Sequence, residues 1–591
     1  MLKLLKNMKG YGKECVLGPL LKLLEALIEL FIPYVVLNMI NNGIENSDTG
    51  YIIWSAILLV LMGLIALAFS ITAQYFSAKA AVGFTARVRE RLFAHIQKLS
   101  YSDIDRIGKS TLINRLTSDM NQVQTGVNLA LRLFLRSPFI VFGAAIMAFT
   151  VSPEASTVFL YAIPLLAIVV FTVMLVTIPL YKKVQSRLDG VTAKTRENLN
   201  GARMLRALAK ENDEISSFND KNGELNIAQK FVGKISALMN PMTFVIINLA
   251  IALLIYKGGL RVEMGLLTQA AVVALYNYMS QILVELIKLA NLIITITKAV
   301  ACGKRVQAVL DIEPSLIKSE SDESSESFVE FKNVSFKYSK GGDYALYDAD
   351  FHAEKGEVVG VIGGTGSGKS TLINLLCRFY DTSKGNVLIK GNDVRSMSQS
   401  DILSLIGIVP QKSELFAGTI KSNVLFGNEN ATDEEIYEAL DNAVASEFVN
   451  KLDKGIESPV EQYGRNLSGG QKQRITLARA LVKRPEILIL DDSSSALDYL
   501  TDLNLRRNIA SLDYKPTVFI VSQRFSSIKD ADKILVLDEG RIVGIGKHDD
   551  LYEINELYRE ICVSQTKNAC GGRYEKDKDI CIDLEALAHL H

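Results

Sequence analysis

The sequence predicts a membrane α-helical bundle of six transmembrane helices fused to a soluble α/β domain with a P-loop. Three observations lead to this fold class. Of the 591 residues, 49% are hydrophobic and 22% are charged, which suits neither a purely soluble chain nor one that lies wholly in lipid. The long apolar stretches all lie in the first half of the chain. The second half contains a glycine-rich loop between a strand pattern and a helix pattern.

Six apolar stretches are long enough to cross a hydrocarbon core of about 30 Å as helices of about 20 residues. They cover approximately residues 16–40, 52–76, 129–151, 157–180, 239–256 and 266–297. The N-terminal segment has lysines but no small-residue cleavage site after its apolar run. We therefore predict a cytoplasmic interfacial elbow that remains in the mature protein.

The distribution of Lys and Arg predicts the orientation of these helices. The connections after the first and third stretches have no basic residue, whereas the long connections after the second and fourth have many. By the positive-inside rule, both termini, both long connections and the soluble domain are cytoplasmic. The loop after the fifth stretch fits less well, because it contains Lys257 and Arg261. We expect the helices to extend beyond the bilayer and to turn back near residues 101–108 and 205–215.

Polar residues inside the apolar stretches have two interpretations. Hydrocarbon disfavours a charged side chain by about 2.5–3.5 kcal/mol on insertion scales. These residues either lie at the membrane surface or in structural ion pairs, such as Lys22 with Glu25 and Glu285 with Lys288, or they line a water-filled cavity that contacts substrate. In both cases they face the interior of the bundle. The cavity candidates are Glu25, Glu29, Arg132, Arg136, Asn277, Gln281 and Glu285.

Composition divides the chain into four parts. Residues 1–310 form the membrane domain, with its elbow and two long cytoplasmic helical extensions. Residues 311–327 are rich in Ser and acidic residues and have no apolar periodicity, which is typical of a linker. Residues 328–565 form the soluble domain. We expect the tail, residues 566–591, to be disordered.

The glycine-rich loop matches the pattern GxxxxGK[ST], in which backbone N–H groups converge on phosphate oxygens at the start of a helix. In this pattern Lys369 would reach the β- and γ-phosphates, and the Ser370 hydroxyl would ligate Mg²⁺. The predicted nucleotide-binding residues of the loop are Gly363, Gly364, Thr365, Gly366, Ser367, Gly368, Lys369, Ser370 and Thr371.

An acidic residue completes the predicted magnesium site. Asp491 ends an apolar strand pattern about 120 residues after the loop. A carboxylate at the carboxyl end of a parallel strand can hold the Mg²⁺ shell beside the phosphate loop.

The balance of 65 basic and 65 acidic residues argues against a nucleic-acid partner.

Residues 467–471, Leu-Ser-Gly-Gly-Gln, carry a resemblance to ATP-binding-cassette (ABC) proteins, whose signature they match. The soluble half resembles that ATPase family, and six spans ahead of one cassette resemble a half-transporter of the exporter class in a bacterial plasma membrane. The resemblance implies ATP and Mg²⁺ as cofactors. It also implies that Tyr338 stacks on adenine, that Gln411 contacts Mg²⁺ and the attacking water, and that Asp498 lies at the site.

In this family two cassettes close head to tail, so that each ATP lies between one phosphate loop and the other chain's signature segment. The resemblance therefore implies that this chain offers the partner's ATP a second set of contacts. The physical basis is a helix N-terminus that attracts the γ-phosphate. The residues concerned are Ser468, Gly469, Gly470 and Gln471.

Two residues depart from the family pattern. Asp492 stands where the family usually has a catalytic Glu, and Gln523 stands where it usually has a switch His. With one methylene less, the Asp492 carboxylate is pulled back by about 1.5 Å, and a misplacement of about 1 Å can cost about a hundredfold in rate. Gln523 donates a hydrogen bond but supplies no positive charge. Asp492, Gln523 and Gln411 are the catalytic candidates, at a site that binds ATP and hydrolyses it slowly.

The combination resembles the degenerate-site subunit of bacterial heterodimeric multidrug exporters. That resemblance implies a second, non-identical half-transporter as partner, contact with membrane lipid, and efflux of amphiphilic small molecules, whether drugs, lipids or peptides. Two alternatives remain open. One is a homodimeric exporter, and the other is an ATP-gated channel or a regulatory membrane subunit.

Overall fold

The computed structural model describes residues 2–316, 325–338, 341–493 and 497–569. Its contacts divide the chain into two units: Met1–Lys98 with Ile107–Glu313, and Leu99–Arg106 with Pro314–His591. The short segment Leu99–Arg106 therefore packs with the second unit, although its neighbours in the sequence belong to the first. Residues 317–324 of the predicted linker and residues 570–591 of the predicted tail lie outside the described residues.

The first unit consists of helices. In chain order the helices up to the end of this unit are α1 (Leu2–Leu5), α2 (Gly12–Asn38), α3 (Thr49–Ile96), α4 (Tyr101–Ile107), α5 (Lys109–Asn114), α6 (Met120–Leu133), α7 (Arg136–Val151), α8 (Thr157–Asn200), α9 (Ala202–Ala207), α10 (Glu211–Ala237), α11 (Met239–Glu263) and α12 (Gln269–Leu310). A 3₁₀ turn covers Lys6–Met8, and π-helical turns cover Met39–Ile44 and Arg115–Asp119. Most of α4 packs with the second unit.

The longest helices extend well beyond a membrane. Helix α3 has 48 residues, which corresponds to about 72 Å at 1.5 Å per residue. Helices α8 and α12 have 44 and 42 residues. These lengths agree with the prediction that the membrane helices continue into the cytoplasm. The predicted turning points coincide with two short helices, α4 and α9.

Five helical stretches of the described chain are long and apolar enough to cross a membrane. They are Thr49–Ile96, Lys109–Val151, Thr157–Asn200, Glu211–Glu263 and Gln269–Leu310. The first predicted span forms a helix too, α2, with 27 residues. It carries Lys22, Glu25 and Glu29 in its middle, so its membrane crossing stays a prediction.

Small residues allow close helix packing in the first unit, as is common in membrane bundles. A Cβ on Gly143 would lie 2.4 Å from Leu30, and one on Gly126 would lie 2.2 Å from Ala299. Tyr278 is fully buried, and its hydroxyl donates to the Leu30 carbonyl at 2.9 Å. Helices α2, α6, α7 and α12 therefore pack closely around a common interior.

The second unit is an α/β structure with two main sheets. Its strands are β1 (Val329–Phe336), β2 (Leu346–Ala353), β3 (Val358–Gly363), β4 (Lys384–Ile389), β5 (Asn392–Asp393), β6 (Ile406–Val409), β7 (Gly418–Thr419), β8 (Pro459–Val460), β9 (Ile487–Asp491), β10 (Thr517–Val521), β11 (Lys533–Asp538) and β12 (Arg541–Gly546). One sheet has the order β12-β11-β3-β10-β9-β6, and the other has the order β2-β1-β4-β5.

Helices of the second unit cover these sheets. They are α13 (Lys369–Leu376), α14 (Gln399–Leu405), α15 (Ile420–Leu425), α16 (Asp433–Asn442), α17 (Ser446–Val449), α18 (Gly469–Leu481), α19 (Tyr499–Ala510), α20 (His548–Ile554) and α21 (Glu556–Ala569). The 3₁₀ turns are Gly455–Glu457, Gln462–Gly464 and Phe525–Ser527. Helix α21 ends four residues beyond residue 565, the predicted end of the soluble domain.

Parallel pairing brings three strand ends to one edge of the six-stranded sheet. Strand β10 pairs in parallel with β3 on one side and with β9 on the other. The strands are rich in Val, Ile and Leu and almost fully buried, as expected for strands covered on both faces. The residues that follow β3, β9 and β10 therefore share the carboxyl edge of the sheet, where ligands bind in such folds.

Candidate nucleotide-binding site

The phosphate loop joins β3 to α13 through tight backbone contacts. A Cβ on Gly363 would lie 2.2 Å from the Leu537 carbonyl oxygen. Gly368 has φ +102, and a Cβ there would lie 2.8 Å from the Ala345 carbonyl oxygen. Only glycine fits these two positions without a shift of backbone. The loop is thus held close to neighbouring strands, while Gly364, Thr365, Gly366 and Ser370 are exposed to solvent.

Lys369 is buried with its amine turned into the loop. Its Nζ donates to the carbonyl oxygens of Gly363 at 2.8 Å and Gly364 at 2.6 Å. Burial lowers the pKa of Lys369, and the nearby charges of Asp491 and Asp492 act against that shift. The backbone carbonyls of Gly363 and Gly364 thus hold the ammonium within the loop.

Asp491 and Asp492 place two carboxylates at the end of β9. Burial raises the pKa of Asp491, the charge of Asp492 raises it further, and Lys369 opposes both effects. The carboxylates of Asp491 and Asp492 and the exposed hydroxyl of Ser370 supply the oxygen ligands that Mg²⁺ prefers. A bound divalent cation would remove the electrostatic cost of ionising Asp491, so the residues present fit the predicted metal.

Asp492 has an unusual backbone conformation and contacts both β10 and Gln411. Its φ is +47, a left-handed value that Asp tolerates better than most residues. Its N–H donates to the Val521 carbonyl of β10 at 2.8 Å, and its Oδ2 accepts from Gln411 Nε2 at 3.1 Å. The structure thus brings two of the three catalytic candidates into direct contact.

Gln523 follows β10 and is exposed. Its loop is held by a residue that the sequence did not indicate. Gln565 Nε2 of helix α21 donates to the Gln523 carbonyl at 2.7 Å, and Gln565 Oε1 accepts from the Phe525 N–H at 3.1 Å. One side-chain amide therefore bridges two residues of the loop. No motif marks Gln565, because its contacts join parts of the chain 40 residues apart or more.

Tyr338 lies in an aromatic group near the loop. Its ring is 53% exposed, and its hydroxyl lies 3.1 Å from Thr371 Oγ1 of helix α13. The rings of Phe336 and Tyr380 meet it edge to face at centroid distances of 4.8 and 5.3 Å. A partly exposed ring that is tied to the phosphate loop is well placed to stack on a base.

Asp498 caps helix α19. Its Oδ1 accepts from the Thr501 hydroxyl at 2.8 Å, and its Oδ2 accepts from the Thr501 N–H at 3.1 Å. These two hydrogen bonds, the hydroxyl first, lower the pKa of Asp498. The carboxylate therefore stays ionised at neutral pH.

The signature segment forms the N-terminus of helix α18. Ser468 Oγ accepts from the Gln471 N–H at 3.3 Å, and Gln471 Oε1 accepts from the Ser468 N–H at 2.9 Å. This capping box leaves Gly469 and Gly470 in the first turn. Helix α18 packs against α15, α16 and β6, whereas α13 packs against β3. The chain thus places its two predicted phosphate-binding helix ends on different elements.

Charged residues form a network inside the first unit. Arg136 NH1 donates to Glu285 Oε1 at 2.8 Å, and its NH2 donates to Glu29 Oε2 at 2.7 Å. Lys288 donates to Glu285 Oε1 at 2.8 Å, and Ser137 donates to Glu285 Oε2 at 2.8 Å. These bonds connect helices α2, α7 and α12.

A cavity of about 450 Å³ adjoins this network. Its polar lining residues include Glu29, Arg136, Asn277, Gln281, Glu285 and Lys288. Glu25 lies in a buried ion pair with Lys22 at 2.6 Å, and neither Glu25 nor Arg132 is in the lining of this cavity. The two interpretations from the sequence are therefore compatible, because ion-paired residues also line a cavity.

Comparison with known proteins identifies the family. Residues 15–286 match the ABC transporter transmembrane region, and residues 346–495 match the ABC transporter family. YfiB of Bacillus subtilis, an uncharacterized ABC transporter ATP-binding protein, is 34% identical over 96% of this chain and 98% of its own length. The chain belongs to the ABC transporter family.

Further similarities place this ABC transporter among exporters. YgaD of Bacillus subtilis, a provisionally named multidrug export ATP-binding/permease protein, is 32% identical over 96% of this chain and 100% of its own length. The structure of a bacterial Atm1-family ABC exporter with ATP bound matches with a TM-score of 0.78 and 24% identity, and covers 96% of this chain and 99% of that one. This last likeness concerns the fold.

The transporter is thus a multi-pass membrane exporter of bacterial type that uses ATP for transport, with fused transmembrane and ATP-binding domains. The predicted fold class, the ATPase activity and the membrane location with a cytoplasmic ATPase domain are confirmed, while the number of six membrane crossings stays a prediction. The roles assigned to single residues stay predictions, and so do the domain boundaries.

Proposed function

We propose that this ABC exporter works as a heterodimer in which the present chain carries the slowly hydrolysing ATP site. Its own phosphate loop binds ATP and Mg²⁺, with Ser370, Asp491 and Gln411 around the metal. Its signature segment completes the faster site on a non-identical partner. Export of an amphiphilic compound is driven by ATP binding at both sites and by hydrolysis at the partner's site.

The pair of substitutions at one sheet edge carries this proposal. Asp492 and Gln523 occupy the ends of neighbouring strands β9 and β10, where the family usually has a Glu and a His. The Asp492 carboxylate is in contact with Gln411, and one methylene more would move it about 1.5 Å further from its backbone. A general base that is misplaced by about 1 Å loses about a hundredfold in rate.

Binding of ATP needs none of the groups that differ. The glycines, Lys369 and Ser370 match the phosphate-loop pattern throughout. The signature segment keeps its serine, both glycines and its capping box. The chain thus lacks the usual groups for hydrolysis at its own site but keeps the groups that it presents to another chain. This combination fits an assembly of two different subunits, only one of which has a fast site.

The proposed cycle is a population shift between two states. ATP favours the state in which the two cassettes are closed, because only there does each ATP contact both a phosphate loop and a signature segment. Hydrolysis at the partner's site removes that preference and allows the cassettes to open. ATP retained at the slow site would keep the cassettes in partial contact between cycles.

ATPase assays on the chain alone and with a co-expressed partner half-transporter test the proposal. We expect slow turnover by the lone chain and fast turnover by the pair. In the pair, Asp492→Asn should leave most of the activity, whereas the same exchange at the partner's glutamate should abolish it. Fast ATP turnover by a complex that contains only this chain, with Asp492→Asn abolishing it, would contradict the heterodimer and support a homodimeric exporter.

The substrate class follows from the cavity in the first unit. It combines acidic, basic and amide groups with apolar residues such as Ile32, Val36 and Ile140, which suits a compound with both a charged and an apolar part. The multidrug description of YgaD points the same way. Reconstituted vesicles test the reaction type: uphill movement of a fluorescent amphiphile supports an exporter, and single-channel current would support an ATP-gated channel.

A further inference from the structure

Tyr380 joins two features of the second unit that the proposed mechanism does not connect. It follows helix α13, which begins in the phosphate loop. On one side its ring meets Tyr338 edge to face, with a centroid distance of 5.3 Å and an interplanar angle of 84°. On the other side its hydroxyl donates to Asp105 Oδ2 at 2.7 Å.

Asp105 belongs to the short segment Leu99–Arg106, which packs with the second unit. In the sequence this segment connects α3 to α5. Because it is covalently attached to both helices, a shift of the segment also moves the helix ends next to it. A hydrogen bond from a hydroxyl to a carboxylate is short and strong. Tyr380 therefore holds this turn directly, through its hydrogen bond to Asp105.

The turn also contacts the residues after α13 through an aromatic side chain, Tyr101. The ring of Tyr101 lies 4.7 Å from Phe379 and 6.5 Å from Tyr380 between centroids. The carboxylate of Asp103 accepts from the Ser315 N–H at 3.0 Å and from Ser100 Oγ at 2.7 Å. The turn therefore contacts Tyr380 in two ways, through the ring of Tyr101 and through the hydrogen bond to Asp105.

The geometry points to Tyr380 as a positioning residue that makes the turn at residues 99–106 sensitive to the base of the bound nucleotide. A base stacked on Tyr338 restricts that ring. The restricted ring then limits the positions open to Tyr380, and the Tyr380 hydroxyl holds Asp105 in one place. This inference rests on the proposed nucleotide site, because it assigns the base to Tyr338.

The protonation state of Tyr380 agrees with the role of donor. Burial raises the pKa of its phenol, and the hydrogen bond to Asp105 raises it further. The hydroxyl therefore keeps its proton at neutral pH and donates to the carboxylate.

Hydrogen–deuterium exchange on the full transporter assembly in lipid nanodiscs tests this link. Peptides covering residues 99–107 are followed at saturating Mg²⁺ with either ATP or inorganic tripolyphosphate, which has the phosphates but no base. In the unmodified protein we expect ATP to slow exchange of these amides about 3- to 30-fold more than tripolyphosphate does, the range that corresponds to one hydrogen bond.

Two variants remove the link in different ways. Tyr380→Phe keeps the ring contact with Tyr338 and removes the hydrogen bond to Asp105, and Asp105→Asn weakens the same bond by removing the charge. Tyr380→Phe should make the effects of ATP and tripolyphosphate equal, and Asp105→Asn should reduce the difference between them. Tyr514→Phe is the matched control, because the Tyr514 hydroxyl is buried and has no hydrogen-bond partner among the residues that the structure describes. This variant should behave like the unmodified protein.

Kinetics supply a second readout. Tyr380→Phe should leave the KM for ATP within about twofold and lower kcat about 3- to 10-fold, because the base still binds but moves the turn less effectively. A Tyr380→Phe variant that keeps the difference between ATP and tripolyphosphate would overturn the inference. Loss of ATP protection at the phosphate loop itself would instead count against the nucleotide site.

Discussion

Restoring the usual residues at the slow site should raise its rate of hydrolysis. The double variant Asp492→Glu with Gln523→His changes only side chains that follow β9 and β10. Asp492 Oδ2 already contacts Gln411 Nε2 at 3.1 Å, and a Glu carboxylate reaches about 1.5 Å further from the backbone. A histidine at residue 523 adds a cation or a proton donor that glutamine lacks.

The size of the effect follows from these changes. Correcting a displacement of about 1 Å recovers about a hundredfold in rate, and a positioned acid or base group contributes about 10²–10⁴-fold. Because the two groups act on one water and one phosphate, their effects overlap, and we expect about 10²–10³-fold for the double variant. The left-handed backbone at residue 492 favours Asp over Glu, so a stability loss of about 1 kcal/mol accompanies the gain.

Single-turnover hydrolysis of radiolabelled ATP is the appropriate assay, because it separates the slow site from the partner's fast turnover. The assembly carries the partner's Glu→Gln exchange, so that only this chain's site can react. Lys369→Ala in the double variant is the control for ATP hydrolysis by contaminating ATPases. A rate that stays unchanged after Asp492→Glu and Gln523→His, with ATP still bound, would refute the argument that these two residues limit hydrolysis.

Three further predictions concern buried charge and the loop after β10. Asp491→Asn should stabilise the nucleotide-free protein by about 0.5–2 kcal/mol at pH 7 and weaken Mg²⁺–ATP binding. Because the pKa of Asp491 is raised, its ionisation costs folding free energy at any pH above that pKa. The gain in thermal stability from Asp491→Asn should therefore shrink as the pH falls towards 4. Gln565→Glu keeps the oxygen that accepts from the Phe525 N–H but loses the N–H that donates to the Gln523 carbonyl. Hydrogen–deuterium exchange of amides 522–525 should therefore become faster, by a factor that corresponds to a free-energy change of about 1 kcal/mol. Arg136→Met removes one of the two cations that contact Glu285, which is 3% exposed, and Lys288 remains as the other. The change should cost about 1–3 kcal/mol, seen as a lower melting temperature in detergent, and the double variant with Glu285→Gln should recover part of it.

Most of the fold could be predicted from the sequence, because its signals are local. Apolar runs of about 20 residues identify helices long enough to cross a bilayer, and the structure has long helices at each predicted position. The phosphate loop and the signature segment are continuous in sequence and carry their own turn and capping chemistry. Helix α2 also lies at its predicted position, but its membrane crossing stays a prediction, because Lys22 and Glu25, which form an ion pair with each other, reduce its apolarity.

Long-range contacts could not be predicted in the same way. The sequence placed Glu29, Arg136 and Glu285 on inward faces, but it did not show that one guanidinium joins both carboxylates. Gln565 and Tyr380 belong to no motif, and each acts through a partner far away in the chain. Such pairs depend on how whole elements pack, which no local pattern records.

The amino-acid sequence by itself determined which segments are helices and which two residues differ from the usual catalytic set, and it predicts where the phosphates would bind, because these properties follow from neighbouring residues and their period. Only the tertiary structure decided which side chains meet: Gln411 with Asp492, Gln565 with the loop of Gln523, and Tyr380 with Asp105. The physical reason is that a hydrogen bond requires its two groups to lie about 3 Å apart, and for groups this distant in sequence only the packing of the complete unit brings them that close.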